Sequence, residues 1–266
     1  MEKELTMKVW MRVRRDKEMN LDVPHSINIA TAMYGFQELG AEIVPYHFID
    51  EIEEQIGPDD IVLDYIEQCQ RVFKKFGHPT YLDCYPERLK PFLKRKIWRD
   101  TINSFSSDEK KWSVGNFIKP VKDKAFTGKI IRNTADLIGC GNSMEDYEIL
   151  VSEPIDILAE WRCFIMYDRI IDVRPYGSVS DLNYQGYRYH YDVEFLDELM
   201  TEFIRWPDRP AACSIDICYC KDGQSRMVEA NDAYALGCYG LPSLLYAKFI
   251  SARWSQIFER EDEYLV

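Results

Sequence analysis

Hydrophobic and polar positions in the first third of the chain follow strand and helix periods in turn. Residues 8–13 alternate with a period of two, which predicts a strand. Ser26 is a helix N-cap, and apolar residues follow it at helical spacing until a glycine ends the pattern. Short apolar runs at residues 41–44 and 61–63 predict two further strands. Strands that alternate with helices indicate a parallel α/β lobe over residues 1–85.

The pattern changes in the rest of the chain. Residues 86–104 carry apolar side chains at helical intervals with a basic opposite face, and they predict a helix. Short apolar runs separated by turn residues then indicate antiparallel strands. These runs are residues 117–118, 129–131, 149–151, 162–166, 170–173, 213–219 and 227–228. Two more helices are predicted at residues 192–206 and 242–259. The fold class is therefore α+β after an α/β start, with three lobes expected at residues 1–85, 86–155 and 156–266.

Length and composition exclude several classes of protein. The chain has 266 residues, 46% of them hydrophobic and 29% charged, which is ordinary for a globular protein and excludes a disordered one. It contains no apolar stretch of the ~18–20 residues that a membrane helix needs. Its first fifteen residues lack the apolar core of a signal peptide. We therefore expect a cytoplasmic protein without a membrane partner.

Charge and side-chain chemistry narrow the function. Lys and Arg number 33 against 45 Asp and Glu, a net charge of −12, which argues against nucleic acid as the default partner. The eight cysteines form no Cys-x-x-Cys pair and the four histidines have no metal-ligand spacing. Neither the Walker pattern nor the Gly-x-Gly-x-x-Gly pattern is complete, and the kinase motifs are absent.

One hairpin carries an argument for a metal site. An Asp-Gly pair at residues 222–223 separates two alternating apolar runs, which indicates a β-hairpin. With that pair as a two-residue loop, Asp216 lies opposite Glu229, and Asn231 lies on the same face. Two facing carboxylates repel each other, and Mg²⁺, which takes carboxylate and amide oxygens, would offset the repulsion. The alternative is a solvent-facing acidic pair at a sheet edge, and the spacing alone does not decide between the two.

Four lysines between residues 119 and 129 form a second candidate. Lys119 lies in an apolar strand that ends at a proline, and Lys124 follows in a short loop with Thr127 and Gly128. A lysine on a strand is a fixed charge that suits a phosphate. Small residues let backbone N–H groups close over an anion. The alternative is a basic hairpin exposed to solvent.

Together these segments resemble the ATP-grasp superfamily. The resemblance is to the RimK-type and glutathione-synthetase-type ligases and to a related small phage and bacterial family, over about two-thirds of the chain. The motifs that carry it are Phe117-Ile-Lys-Pro120, Lys124-Ala-Phe-Thr-Gly128, Val151-Ser-Glu-Pro-Ile155, Glu160-Trp-Arg162, Ser214-Ile-Asp216 and Val228-Glu-Ala-Asn-Asp232. It implies the ATP-grasp fold, in which an N-terminal α/β lobe precedes two α+β lobes that clamp a nucleotide.

The resemblance also implies roles for individual residues. Lys119 would contact the ATP phosphates, and Lys124, Thr127 and Gly128 would belong to the loop that covers them. Glu153 would lie at the hinge that reads the adenine, and Glu160 would bind the ribose or orient Arg162. One residue of the run Lys94-Arg95-Lys96 would lie near the phosphates, with Lys96 as the candidate. Arg162 and Arg174 would hold the acyl phosphate or the substrate carboxylate. The magnesium ligands would be Asp216, Glu229 and Asn231.

The resulting hypothesis is an ADP-forming, ATP-dependent carboxylate–amine or carboxylate–thiol ligase that acts through an acyl phosphate. The implied cofactors are ATP and Mg²⁺, and the expected partners are small-molecule carboxylates and amines such as amino acids or peptides. Two alternatives stay open, a phosphotransferase of the same family and a non-catalytic binding protein. The phosphate loop has one glycine where related ligases often have several. The N-terminal lobe contains no recognisable acceptor motif.

Overall fold

The computed structural model describes residues 7–121, 126–140, 145–176 and 189–265, and it contains three four-stranded sheets. The first sheet is built from β1 (Lys8–Asp16), β2 (Leu21–Pro24), β3 (Glu42–Tyr46) and β4 (Ile61–Leu63). Strand β1 is parallel to β3 and β4 and antiparallel to β2. The predicted parallel strands are therefore confirmed, with one antiparallel strand added.

Three helices accompany the first sheet. They are α1 (Ile27–Glu38), α2 (Ile49–Ile52) and α3 (Ile66–Lys75). Helix α1 begins where the sequence predicts, because the Ser26 hydroxyl accepts a hydrogen bond from the backbone N–H of Ile29 at 3.3 Å.

The second sheet is antiparallel and has the strand order β5-β8-β6-β7. Its strands are β5 (Ile97–Thr101), β6 (Asn116–Pro120), β7 (Lys129–Ile131) and β8 (Glu148–Ser152). The short helices α4 (Ile102–Ser106) and α5 (Glu109–Trp112) follow β5, and a 3₁₀ turn at Thr134–Leu137 follows β7. Buried side chains from α4, α5 and one face of the sheet form a separate small core.

The predicted helix over residues 86–104 is wrong. The chain forms a 3₁₀ helix at Glu87–Leu93, turns at Lys94, whose φ is +46°, and continues as β5. Pro91 lies inside the 3₁₀ helix, where its missing N–H cannot support a regular α-helix. The residues after Lys96 form strand β5 because they pair with β8, some fifty residues further along the chain.

The third sheet is also antiparallel and has the order β10-β9-β11-β12. Its strands are β9 (Ile157–Met166), β10 (Arg169–Pro175), β11 (Ala212–Cys220) and β12 (Ser225–Asp232). Helix α6 (Val193–Ile204) covers one face, together with the 3₁₀ helix at Glu87–Leu93. Because side chains alternate along a strand, the opposite face carries the polar residues of β9, β11 and β12.

The last helix, α7 (Ser243–Ile257), follows a 3₁₀ turn at Ala233–Ala235. It packs against α1 and α3, so the core of the first sheet includes residues from the end of the chain. Trp254 is fully buried there, with its ring centroid 4.7 Å from that of Phe73. In the described ranges, no helix combines the length and apolar character needed to cross a membrane.

Candidate functional site

The hairpin of β11 and β12 brings Asp216 opposite Glu229, as the sequence predicts, and pairs Ser214 with Asn231. The path differs from the expected two-residue loop. The turn contains the three residues between Cys220 and Gln224, and the Cys220 N–H donates to the Gln224 carbonyl. A β-bulge between Asp216 and Ile217 then shifts the pairing by one residue and restores the predicted register.

Each of the two facing carboxylates has a basic partner. Arg162 donates from Nε and Nη2 to the two oxygens of Asp216 at 2.8 and 2.7 Å, and both side chains are 3% exposed or less. Lys119 Nζ donates to Glu229 at 2.7 Å from β6 of the second sheet. The edge of β12 is covered by a backbone bond from Ala230 N–H to the Cys84 carbonyl. The acidic pair is therefore not a solvent-facing pair at an open sheet edge.

These contacts keep both basic groups charged. Burial works against the charge of Arg162, but the hydrogen bonds and attraction of Asp216 outweigh it, so the pKa of the guanidinium is raised. Burial also opposes the charge of Lys119, and the attraction of Glu229 again raises the pKa of the ammonium group. The site therefore contains two basic groups, each fixed against a carboxylate.

Two tyrosine rings enclose the Arg162 guanidinium. Its carbon lies 4.4 Å from the ring centre of Tyr176 and 4.3 Å from that of Tyr239. Tyr239 has a φ of +44°, a backbone conformation that costs a non-glycine residue energy and is held by its surroundings. Arg174 lies beside Arg162 in the β9–β10 register, and its Nε donates to Asp172 at 2.7 Å.

Glu160 lies on the same polar face, two residues before Arg162 and next to Cys218 in the strand register. Burial, followed by the negative charges of Asp216 and Glu229, raises the pKa of its carboxyl group to about 8. The structure therefore places a third acidic side chain beside the facing pair, in an environment that disfavours its charged form.

The donor set fits a magnesium ion in its chemistry. It consists of two carboxylates and the amide of Asn231, whose Nδ2 donates to Asp216 at 3.2 Å and leaves the amide oxygen available. Mg²⁺ commonly binds one or two carboxylates and completes its shell with phosphate oxygens and water. The described residues contain no cluster of three or more His, Cys, Asp or Glu side chains suited to a metal. Binding of Mg²⁺ would thus need phosphate oxygens as further ligands. It would also need Arg162 to release Asp216 in part and Lys119 to release Glu229 in part.

The second sheet supplies the phosphate-side candidates. Gly128 packs so closely on β6 that an added Cβ would lie 2.6 Å from Phe117 Cζ and 3.2 Å from Lys119 Cβ. This contact holds the start of β7 against Lys119. Thr127 is exposed at the same place. Lys124 lies outside the described residues.

The run Lys94-Arg95-Lys96 separates into three environments. Lys94 Nζ lies 5.3 Å from the ring centre of Phe195. Arg95 bonds to Ser152 and to backbone carbonyls of β12. Lys96 has an exposed side chain, and its backbone pairs with Glu153, whose carboxylate accepts from the Lys96 N–H at 2.9 Å. Contact of Lys96 or Glu153 with a nucleotide stays a prediction.

A cleft of about 770 Å³ lies between the second sheet, the third sheet and helix α3. Lys119 and Leu150 line it from the second sheet, and Arg162, Glu229 and Asn231 line it from the third. The segment 80–84 and the residues Ile66 and Gln70 of α3 close its remaining side. Pockets of this size and mixed lining are typical of small-molecule sites.

Sequence reasoning missed several residues of this site. They are Gln70, Thr80, Tyr85, Tyr176 and Tyr239. Tyr85 is buried, with its ring centre 4.5 Å from Lys119 Nζ. None of these side chains stands at a diagnostic spacing, since each reaches the site through packing between distant segments.

The comparisons with known proteins identify the family of the chain and its fold. The model of an ATP-grasp domain family, family 2 of the R2-K clade, matches residues 92–249, more than half of the chain. No curated protein matches. In contrast, 237 chains of solved structures match this chain. N5-carboxyaminoimidazole synthetase from Staphylococcus aureus superposes with a TM-score of 0.60 at 9% identity, over 98% of this chain and 79% of that one.

Two further structures have the same fold. N5-carboxyaminoimidazole ribonucleotide synthetase from Thermotoga maritima gives a TM-score of 0.58 at 13% identity, over 96% of this chain and 76% of that one. D-alanine–D-alanine ligase from Bacillus anthracis, complexed with ATP, gives a TM-score of 0.56 at 14% identity, over 96% of this chain and 98% of that one. These identities are too low to transfer a substrate. As the motifs predict, the chain has the ATP-grasp fold and belongs to the ATP-grasp superfamily, in family 2 of the R2-K clade.

Proposed function

We propose that the protein is an ADP-forming, ATP-dependent ligase that joins a small-molecule carboxylate to an amine or thiol through an acyl phosphate. The observation that carries the proposal is that Lys119, Arg162 and Glu229 line one cleft, with Asp216 buried against Arg162. The fold neighbours named ligases and synthetases support it, and one of them was solved with ATP.

The side chains have separate tasks in this proposal. Lys119 binds a phosphate oxygen from its strand, where it compensates the charge that moves during phosphoryl transfer. Lys124, Thr127 and Gly128 cover the phosphates, while Glu153, Glu160 and Lys96 contact the rest of the nucleotide. Arg162 and Arg174 hold the carboxylate substrate. Asp216, Glu229 and Asn231 would hold Mg²⁺, which would supply positive charge to the phosphates.

A covalent protein nucleophile is not needed for this chemistry, because the phosphate itself activates the carboxylate. The residues that line the cleft from α3 and the segment after it, among them Gln70, Thr80 and Tyr81, carry no charge. That lining suits an uncharged part of an amino acid or peptide. All eight cysteines are free thiols, which suits the proposed cytoplasmic location. We retain three functional lobes at residues 1–85, 86–155 and 156–266 as part of the proposal.

A product assay tests the proposed activity. Wild-type protein with MgATP and a panel of amino acids and short peptides is expected to release ADP and phosphate only when both a carboxylate and an amine or thiol acceptor are present. Release of AMP would contradict the proposal. A stable phosphorylated product without a need for amine would instead indicate a phosphotransferase.

Matched variants connect that activity to the site. Asp216→Asn and Glu229→Gln keep the side-chain size and are expected to lose turnover by a factor of about 10² or more, because each removes a charge that would hold the metal. Asp222→Asn, at the tip of the same hairpin, is the control and should retain turnover. Equal activity of all three variants would exclude this site.

A further inference from the structure

The β-bulge in β12 decides which way the proposed metal ligands face. Near the turn, Tyr219 pairs with Ser225 and Ile217 with Met227. If that register continued, Asp216 would pair with Val228, and Glu229 would point to the opposite face of the sheet. Val228 is the extra residue that restores the Asp216–Glu229 pair. The geometry of the site therefore depends on whatever stabilises this bulge.

Arg95 binds the bulge directly. Its Nη1 donates to the Met227 carbonyl at 2.6 Å and its Nη2 donates to the Val228 carbonyl at 2.7 Å. Its Nε donates to the Ser152 hydroxyl at 2.9 Å, at the end of β8. A single guanidinium thus joins the two carbonyls at the bulge to the second sheet.

The chemistry of the guanidinium suits this position. Within the described part of the chain β12 is the edge strand of its sheet, and no neighbouring strand there binds the outward backbone groups at the bulge. A guanidinium presents several N–H donors in one rigid plane and can bind two adjacent carbonyls and a hydroxyl at once. A lysine carries the same charge at one point and cannot reproduce that arrangement.

We propose that Arg95 is a positioning residue that holds the β12 bulge in the register needed to turn Glu229 and Asn231 toward Asp216, and so sets the metal affinity of the site. The inference rests on the proposed function, since it assumes that this triad binds a divalent cation. Arg95 acts through the backbone and needs no contact with substrate. Its bond to Ser152 also ties the metal site to the position of the second sheet.

Metal binding rather than turnover tests the role. Mn²⁺ is titrated into the full-length protein at saturating ADP, and free Mn²⁺ is followed by electron paramagnetic resonance. Arg95→Met is expected to weaken Mn²⁺ binding about tenfold or more, the loss typical when a partner that orients metal ligands is removed. Arg95→Lys is expected to fall between wild type and Arg95→Met, and it carries the same test where the methionine variant does not fold.

The control is Arg226, an arginine of β12 itself. Arg226 binds Asp222 at the hairpin tip at 2.9 Å and touches neither bulge carbonyl. Arg226→Met should therefore keep the wild-type affinity for Mn²⁺. Affinity for ADP, measured by calorimetry in EDTA, should be unchanged in all the variants, because the proposed effect concerns the metal ligands alone.

Three outcomes would overturn the inference, and each is distinguishable from failure of the proposed function. A lower melting temperature of Arg95→Met with wild-type Mn²⁺ affinity would show that Arg95 only stabilises the fold. Loss of ADP binding in EDTA would show that Arg95 contacts the nucleotide. An equal loss of Mn²⁺ affinity in Arg226→Met would show a general effect of the hairpin. If wild type binds neither ADP nor Mn²⁺, the proposed function itself fails.

Discussion

The protonation of Glu160 is governed by its burial and by the other carboxylates on the polar face of the third sheet. Its carboxyl has a folded-state pKa of about 8, raised by burial and then by Asp216 and Glu229, against an ordinary value of 4.5. Between these two pH values the folded protein retains a proton that the unfolded chain has released. The free energy of unfolding must therefore fall as the pH rises through this interval.

Glu160→Gln tests this proton. Glutamine stays neutral, so the variant should lack the contribution of Glu160 to the fall in stability, which is at most ~1.4 kcal/mol per pH unit. The measurement is guanidinium denaturation in EDTA at several pH values between 5.5 and 8.5. Glu148→Gln is the control, because the Glu148 side chain is 61% exposed. Parallel pH profiles for Glu160→Gln and wild type would contradict the assigned environment.

The sequence predicts the proposed metal ligands as a group but not their basic partners. Spacing along an assumed two-residue hairpin places Asp216, Glu229 and Asn231 on one face, and the structure has them there. It could not show that Arg162 and Lys119 neutralise the two carboxylates, because these pairs join residues 54 and 110 positions apart. Such contacts depend on the packing of whole sheets, on which local periodicity carries no information.

At the scale of elements, the predicted and observed hairpins agree for a reason that the sequence does not reveal. The turn is one residue longer than the assumed Asp-Gly loop, and the bulge adds one residue to β12. These two departures offset each other, so the register at Asp216 is right although the turn is not. Helices α1, α6 and α7 lie where the apolar pattern predicts them, whereas the similar pattern over residues 86–104 forms a 3₁₀ helix and β5 instead.

The contact between β6 and the start of β7 gives an element-scale prediction. Gly128→Ala should cost about 1–3 kcal/mol of stability, because its Cβ would overlap Phe117 and press on Lys119. Displacing Lys119 should also weaken ADP binding in calorimetry. Gly57→Ala is the matched control, since its Cβ would meet Asp60 at an ordinary 3.6 Å. Wild-type stability and ADP affinity in Gly128→Ala would show that the contact is not tight.

At the scale of the whole molecule, the first and last segments of the chain pack together in one core. Helix α7 comes from the end of the chain but completes the core of the first sheet. The loop before it carries Tyr239, which packs on Arg162, and the Cys238 N–H donates to Asn28 of α1 at 3.1 Å. The N-terminal lobe is thus connected to the site through the α1–α7 interface, although its own sequence shows no functional motif.

Gly35 tests this connection. An added Cβ would lie 2.0 Å from the Ser243 carbonyl oxygen and 2.7 Å from Ala247 Cβ, so Gly35→Ala must move α1 away from α7. We expect a loss of about 3 kcal/mol, measured by denaturation, because overpacking against backbone cannot be relieved by a side-chain rotation. The melting transition should stay single, since both helices belong to one core.

The matched control is Tyr34→Ala on the same helix, where the side chain is 58% exposed and its removal should change stability little. A displaced α1 should also loosen the Asn28–Cys238 contact and with it the loop that places Tyr239 on Arg162. Gly35→Ala is therefore expected to raise the KM for the carboxylate substrate while ADP affinity stays near wild type. A stable variant with unchanged KM would show that the N-terminal lobe and the arginine site are independent.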